Sequence, residues 1–204
     1  MDAPDGHQRA DIRPAAIKDA AAVADILADA FHDDPVMNWN LGSKKPIRRL
    51  FLELARGLYL KRGFGHLAGD EAASLWLPPG VRPDPPIVNE LLIGAAVFPA
   101  GGLPALRRLL CISAQMGAAR PAEPHYYLFA VGVRRRSQGR GFGGRLIAEG
   151  LKMAGAAAPA YLECSNPMNE PLYMRLGFER RSMLDLPAGA PPLSTMARAA
   201  RAVA

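Results

Sequence analysis

Tyr126-Tyr-Leu-Phe-Ala-Val-Gly-Val133-Arg-Arg-Arg-Ser-Gln138-Gly-Arg-Gly141-Phe-Gly143-Gly-Arg-Leu146 is the stretch that decides how this chain folds. An apolar run rich in aromatic and β-branched residues reads as a buried strand. It ends in a turn of arginine and glycine, and a helix follows with Phe142, Leu146, Ile147 and Leu151 on one side. Gly139, Gly141 and Gly144 satisfy G-x-G-x-x-G, and Glu163 stands near the spacing of a ribose-binding acid. The dinucleotide reading fails on position. In that fingerprint the first glycine follows the strand almost at once, whereas Arg134 to Gln138 separate Val133 from Gly139. About 40 residues remain after Ser165, without the alternating strands and helices a doubly wound sheet needs. What survives is strand, basic loop, Gln138-x-x-Gly141-x-Gly143, helix.

That arrangement suits a phosphate. Consecutive amides of a glycine-rich turn at a helix N-terminus converge on an anion with no side chain in the way. Gly139, Gly141 and Gly143 would also serve a tight strand-to-helix connection. Arg134, Arg135, Arg136 and Arg140 tilt the reading toward an anionic ligand, because so many like charges repel without one.

The bulk properties bound the rest. With 204 residues, half of them hydrophobic, the chain suits a single domain over residues 8–204, preceded by a disordered tail at 1–7. A net charge of +6 favours an anionic partner without choosing one. Nucleic acid is disfavoured, since aromatics are only 7% and no zinc-finger, RNA-recognition or helix-turn-helix signature is present. Cys111 and Cys164 sit in apolar runs and read as core thiols of a reducing compartment. The first residues lack the apolar core of a secretory signal, and no window reaches about 18 consecutive apolar residues. A cytoplasmic protein that engages no membrane is expected.

Along the chain, Arg9 to Arg13 read as a first strand stopped by Pro14. Val23, Ile26, Leu27, Ala30 and Phe31 repeat at helical spacing, with Asp19 favouring the helix start in place of a hydroxyl cap at Ala16. Pro35 capped by Asp34 opens a second helix, and Ile47 to Leu58 a third. Two strands are expected near 64–68 and 73–77, joined at Gly69-Asp70-Glu71. Residues 81–121 read as a helical insertion on the substrate side, with two stripes separated by Pro99-Ala-Gly-Gly-Leu-Pro104. A strand at 160–165, a short helix through Tyr173, and closing strands near 180–186 and 193–198 complete the pattern.

The Gln138-x-x-Gly141-x-Gly143 turn resembles the acyl-CoA-binding motif of the GNAT superfamily of N-acetyltransferases. Downstream, Tyr161-Leu-Glu-Cys-Ser165 followed by Asn166-Pro-Met-Asn169-Glu-Pro-Leu-Tyr173-Met-Arg-Leu-Gly177-Phe178 resembles its second signature. The likeness covers Tyr126 to Phe178 and, more faintly, Ile12 to Phe31. Glu123-Pro-His-Tyr-Tyr-Leu-Phe, Leu162-Glu-Cys-Ser165 and Leu186-Pro-Ala-Gly-Ala-Pro-Pro192 are similar to puromycin N-acetyltransferase-like members.

The resemblance implies a mixed α/β (α+β) GNAT fold, its mostly antiparallel sheet splayed at the centre and flanked by helices. It implies acetyl-CoA as co-substrate and no metal. The main chain of Val131 and Val133 would pair with the pantetheine arm, and amides from Gln138, Gly139, Arg140, Gly141, Phe142 and Gly143 would bind the pyrophosphate. Arg136 and Arg140 are candidates for the remaining phosphate, with the choice of arginine open. Asn166 and Asn169 would hydrogen-bond the arm, though both residue types also suit turns.

Attack of an amine on a thioester expels a thiolate of conjugate-acid pKa about 8.5, which a nearby phenol of pKa about 10 can protonate. Tyr173 fits that role, against the plain alternative of packing on Leu176 and Phe178. The acceptor side needs a base, for which Glu163, His125 and Asp33 are candidates. Glu163 inside an apolar strand is as consistent with a buried ion pair as with catalysis, while His125 suits a surface position and Asp33 a turn. The implied activity is direct acetyl transfer to a primary amine of a small molecule or peptide, with a homodimer left open. The rival is a non-catalytic acyl-CoA-binding or sensor domain.

Overall fold

A computed structural model describes residues 11–155 and 157–200. Seven strands form one sheet in the order β1-β2-β3-β4-β5-β7-β6. They are β1 (Ile12–Pro14), β2 (Phe64–Ala68), β3 (Ala72–Leu77), β4 (Tyr126–Val133), β5 (Ala160–Cys164), β6 (Glu179–Met183) and β7 (Ser194–Arg198). Every neighbouring pair is antiparallel except β4 and β5. The sheet is therefore mixed, mostly antiparallel and flanked by helices, as the resemblance implies.

The helices are α1 (Ala20–Ala30), α2 (Pro35–Leu41), α3 (Ile47–Leu54), α4 (Leu60–Arg62), α5 (Ile87–Ala119), α6 (Phe142–Ala154) and α7 (Glu170–Arg175). A π-helical turn, Ala55–Tyr59, joins α3 to α4. One apolar cluster unites Val23, Ile26 and Leu27 of α1 with Leu50 and Phe51 of α3, Val97 of α5 and the Leu75, Tyr127 and Tyr161 face of the sheet. A second joins Ile147 and Leu151 of α6 with Trp76, Leu128, Leu162 and Phe178. Both faces are thus covered, and every residue of β3 is buried. That accounts for a strand written without polar alternation.

Several boundaries differ from the sequence reading. The first strand runs through Pro14 rather than stopping before it, and the part of that expectation at Arg9 and Ala10, like the tail at 1–7, lies outside the described residues. β1 is an edge strand, where the missing N–H of a proline is tolerated. The strand expected at 180–186 ends at Met183. Asp19 accepts from Ala16 N at 2.8 Å while pairing with Arg13, and neither Ala16 nor Asp19 makes a side-chain cap. The two stripes expected in 81–121 form α5, bent where Gly102 leaves helical geometry at φ 62°, ψ −161°. By length and composition α5 could cross a membrane. Here it is broken at Gly102 and buries Asn89, Ile93, Val97, Ala105 and Ile112, with α2 and α3 packed against it.

The feature that positions a site is the short contact between β4 and β5. They pair only through Tyr126 with Ala160 and Tyr127 with Tyr161, although β4 continues to Val133 and β5 to Cys164. β3 holds β4 from Tyr127 to Val133, with a register shift at Leu75/Trp76 that bends the pair. β7 holds β5 from Ala160 to Cys164. Two halves of the sheet, each well paired, therefore part between their central strands.

Packing on the far face is tight where α6 crosses β3. A Cβ added to Gly150 would lie 2.5 Å from the fully buried Trp76 indole. Gly150→Ala should lose more to overpacking, about 1–3 kcal/mol, than the helix gains, about 1 kcal/mol. A lower denaturant midpoint with unchanged slope is the expected outcome, and an unchanged or raised midpoint would contradict the packing.

Candidate active site

The open end of β4, Val131 to Val133, forms one wall of a cavity of about 580 Å³, with Asn166, just past β5, also lining it. Arg134 N donates to Glu71 O at 2.8 Å, next to the Ala72–Val133 register pair. Alternate residues of an antiparallel strand turn their amides to opposite sides, so Val133 and Val131 point theirs away from β3 and into the gap. Gln138 Nε2 already reaches Val133 O at 3.3 Å. Val131 keeps an unpaired strand edge available to an extended ligand.

Above that edge the loop turns through a 3₁₀ segment, Arg135–Ser137, into α6. Gly139 and Gly141 take φ 78° and 80°, the left-handed region in which a side chain is strained. A Cβ at either would meet nothing within 4 Å, so packing does not demand glycine there. Backbone shape and open approach do. No side chain caps α6, which leaves its first-turn amides for an anion, with the positive end of the helix dipole behind them.

Val131, Val133, Gln138, Gly139, Gly141, Phe142, Gly143, Asn166, Asn169 and Tyr173 all line this cavity. The sequence-derived donor-side residues therefore converge, apart from two arginines. Arg136 pairs with Glu71 at 2.9 Å and with Asp70, and Arg140 lies 5.5 Å from the Phe142 ring; neither lines the cavity. Arg135 does line it, held by Asp29 and Asp33, and so does Arg175. The crowding of arginines is relieved within the protein, since Arg134 also pairs with Asp70. Arg136 and the Ser137 hydroxyl together pull the Glu71 carboxyl down to about 2. The carboxylates come from the β2–β3 turn and from α1 and its end, a pairing invisible in the sequence.

Tyr173 is buried and borders the cavity. Burial pushes its phenol well above the usual value, with Cys164 and Asp34 adding to the effect. It stays protonated at neutral pH, as a proton donor must. Its ring also meets Phe178 edge-on at 6.2 Å, so the packing role foreseen for it is real. Asn166 caps the following 3₁₀ turn by accepting from Met168 N at 3.0 Å. Cys164 is buried, donates to Asn166 O, and has its thiol pushed up to about 11 by burial.

Asp34 is a cavity residue that sequence reasoning treated only as a helix cap. It does cap α2, accepting from Met37 N at 2.8 Å, and it also accepts from the Ser165 hydroxyl. Burial raises its carboxyl pKa. The cap was legible in Asp34-Pro35; the bond across to the end of β5 spans 131 positions and has no local signal. Its neighbour Asp33 lines the same cavity but is exposed and tied to Lys44, His32 and Arg135.

The other two candidates for a base lie elsewhere. Glu163 follows Tyr161 on β5, past the last β4–β5 pair. Burial pushes its carboxyl up to about 7, while Tyr127, Arg120 and Tyr161 pull the other way. Among the described residues no ion pair holds it, and its Oε1 is sealed from solvent without a geometric hydrogen-bond partner. His125 is on the rim of a second cavity, its Nδ1 2.7 Å from Glu123 O.

Residues 113–184, which carry both the glycine turn and the Tyr173 segment, match the family model described as FR47-like protein. The fold recurs across entire solved chains. A Corynebacterium glutamicum structure, described as histone acetyltransferase HPA2 and related acetyltransferase, superposes with a TM-score of 0.70 at 24% identity, covering 96% of this chain and 99% of that one. Arylalkylamine N-acetyltransferase 2 from Aedes aegypti gives 0.62 at 16% identity, over 93% and 99% of the two chains. Drosophila melanogaster polyamine N-acetyltransferase, which forms N-acetylagmatine, gives 0.54 at 16% identity over 92% and 99%. The chain has the fold of these N-acetyltransferases, and its FR47-like segment contains the turn and the tyrosine that border the cavity.

Proposed function

We propose that the protein is an N-acetyltransferase that moves the acetyl group of acetyl-CoA directly to a primary amine held in the same complex. One observation carries the reading: the open glycine turn, the unpaired Val131 edge and Tyr173 border a single cavity. The residues suit the co-substrate, because a pyrophosphate fits uncapped amides at Gly139–Gly143 and an amide-bearing arm fits a free strand edge. Bound there, acetyl-CoA supplies an activated acyl group.

The chain's residues would then divide the work. Val131 N–H polarises the thioester carbonyl, Glu163 receives a proton from the amine, and Tyr173 gives one to the departing sulfur. Asn166 and Asn169 hold the arm beside Tyr173, and Arg135 or Arg175 meets the outer phosphate. The acceptor is a small-molecule amine, the class to which the Drosophila enzyme's substrate belongs.

Thiol release measured with phenethylamine, agmatine, spermidine, puromycin and a short peptide tests the activity. Release that depends on at least one amine is expected; none with any of them would favour an acyl-CoA sensor. Tyr173→Phe should lower kcat by about 10²-fold while sparing CoA affinity, and an unchanged kcat would remove Tyr173 from the chemistry. A base works in its deprotonated form, so kcat should rise with pH through about 7. Glu163→Gln should abolish that rise along with most activity, and a retained rise would assign the base elsewhere.

A further inference from the structure

Helix α5 carries an apolar face that no other described element covers. Of its 33 residues only Asn89, Ile93, Val97, Ala105 and Ile112 are buried. Ile87, Val88, Leu91 and Phe98 on the limb before the Gly102 bend, and Leu103 and Leu110 on the limb after it, are each more than half exposed. Within each limb their helical spacing puts them on the side away from the buried residues. These six side chains present on the order of 700 Å² of apolar surface, more than the largest patch of an ordinary monomer and close to the about 800 Å² that each partner gives a standard interface.

The charges beside this face complement one another. Glu90 and Arg107 are exposed, one on each limb, and neither has an ion pair among the described residues. Arg108 is engaged elsewhere, 5.4 Å from the Trp39 ring. Ile87, Glu90 and Gly94 are spaced by three and four positions, and so, read backwards, are Leu110, Arg107 and Leu103. Two copies with α5 antiparallel about a twofold axis near Phe98 therefore bring Ile87 to the partner's Leu110, Glu90 to the partner's Arg107 and Gly94 to the partner's Leu103. Each contact occurs twice, as a twofold interface requires. Gly94 offers that leucine a notch, since a Cβ there would meet nothing within 4 Å.

Other occupants fit less well. A helix that lies on an anionic membrane carries Lys and Arg along its polar flanks, whereas the exposed side of α5 has one arginine offset by one glutamate. Asn89 also bonds the Glu53 carboxylate at 2.9 Å, which ties the first limb to α3. Residues 1–10, 156 and 201–204 contain only Met1 and Val203 as large apolar side chains, too few to cover the face.

We propose that α5 is a dimerisation helix, its Ile87–Leu110 face covered by a second copy of this chain through antiparallel pairing about an axis near Phe98. The pairing goes beyond acyl transfer and does not depend on it. It also braces one wall of the second cavity, about 680 Å³, which Gly117 of α5 and Arg120 just past it line.

Sedimentation velocity of the full chain, from micromolar to submillimolar concentration, should show a dimer. Phe98→Glu, at an exposed position, should give a monomer with an unchanged far-ultraviolet circular dichroism spectrum. Glu90→Arg and Arg107→Glu should each weaken the dimer by about ten-fold or more, because each sets like charges together twice, and the two combined should restore it. A monomeric unaltered protein, a dimer indifferent to Phe98→Glu, or charge reversals that fail to rescue one another would overturn the pairing. So would a monomer that binds vesicles of phosphatidylcholine and phosphatidylserine and loses that binding in Phe98→Glu, which would assign the face to a membrane.

Discussion

The structure depends on a pairing that stops early. β4 and β5 share two register pairs and then separate, while β3 and β7 hold them from the outer sides. Unpaired backbone inside a sheet is costly unless something satisfies it. Here the same gap turns Val131 and Val133 toward the cavity, where Gln138 meets Val133 O. The parallel orientation requires a crossover, and that crossover is the glycine turn and α6. One geometric choice thus sets the strand edge, the helix N-terminus and the cavity between them.

Charge is organised around this gap in two ways. On the donor side, Arg134, Arg135 and Arg136 are held by Asp70, Glu71, Asp29 and Asp33, so the loop is braced before any ligand arrives. These pairs are exposed, and each contributes little stability. Their effect is to fix where the guanidinium groups point. At Glu163 and Asp34, burial raises the carboxyls by more than their partners lower them. Carboxyls that titrate nearer neutrality suit proton exchange better than structural ion pairing.

The fold was legible where local pattern and tertiary role coincide. The Val131–Val133 strand end, the glycines at 139 and 141, and the Tyr173 segment all carried local signatures, and all border the cavity. Positive φ at Gly139 and Gly141 is a conformation that the residue type permits. What escaped was long-range. Arg135 lines the cavity and Arg136 does not, because Asp29 and Glu71 pull neighbouring guanidinium groups in different directions. Asp34 read as a cap and also reaches Ser165. The residues between 81 and 121 read as two stripes, and only the backbone of Gly102 shows how they join into one bent helix.

The central claim is that the glycine turn and the strand gap together hold CoA, and a calorimetric titration tests it most directly. CoA should bind the unaltered protein at micromolar to low-millimolar concentration. Gly141→Ala, whose Cβ meets no neighbour but whose left-handed backbone is strained by about 1–2 kcal/mol, should bind about ten-fold more weakly or worse. Equal binding by both proteins, or no heat with either at millimolar CoA, would contradict the account.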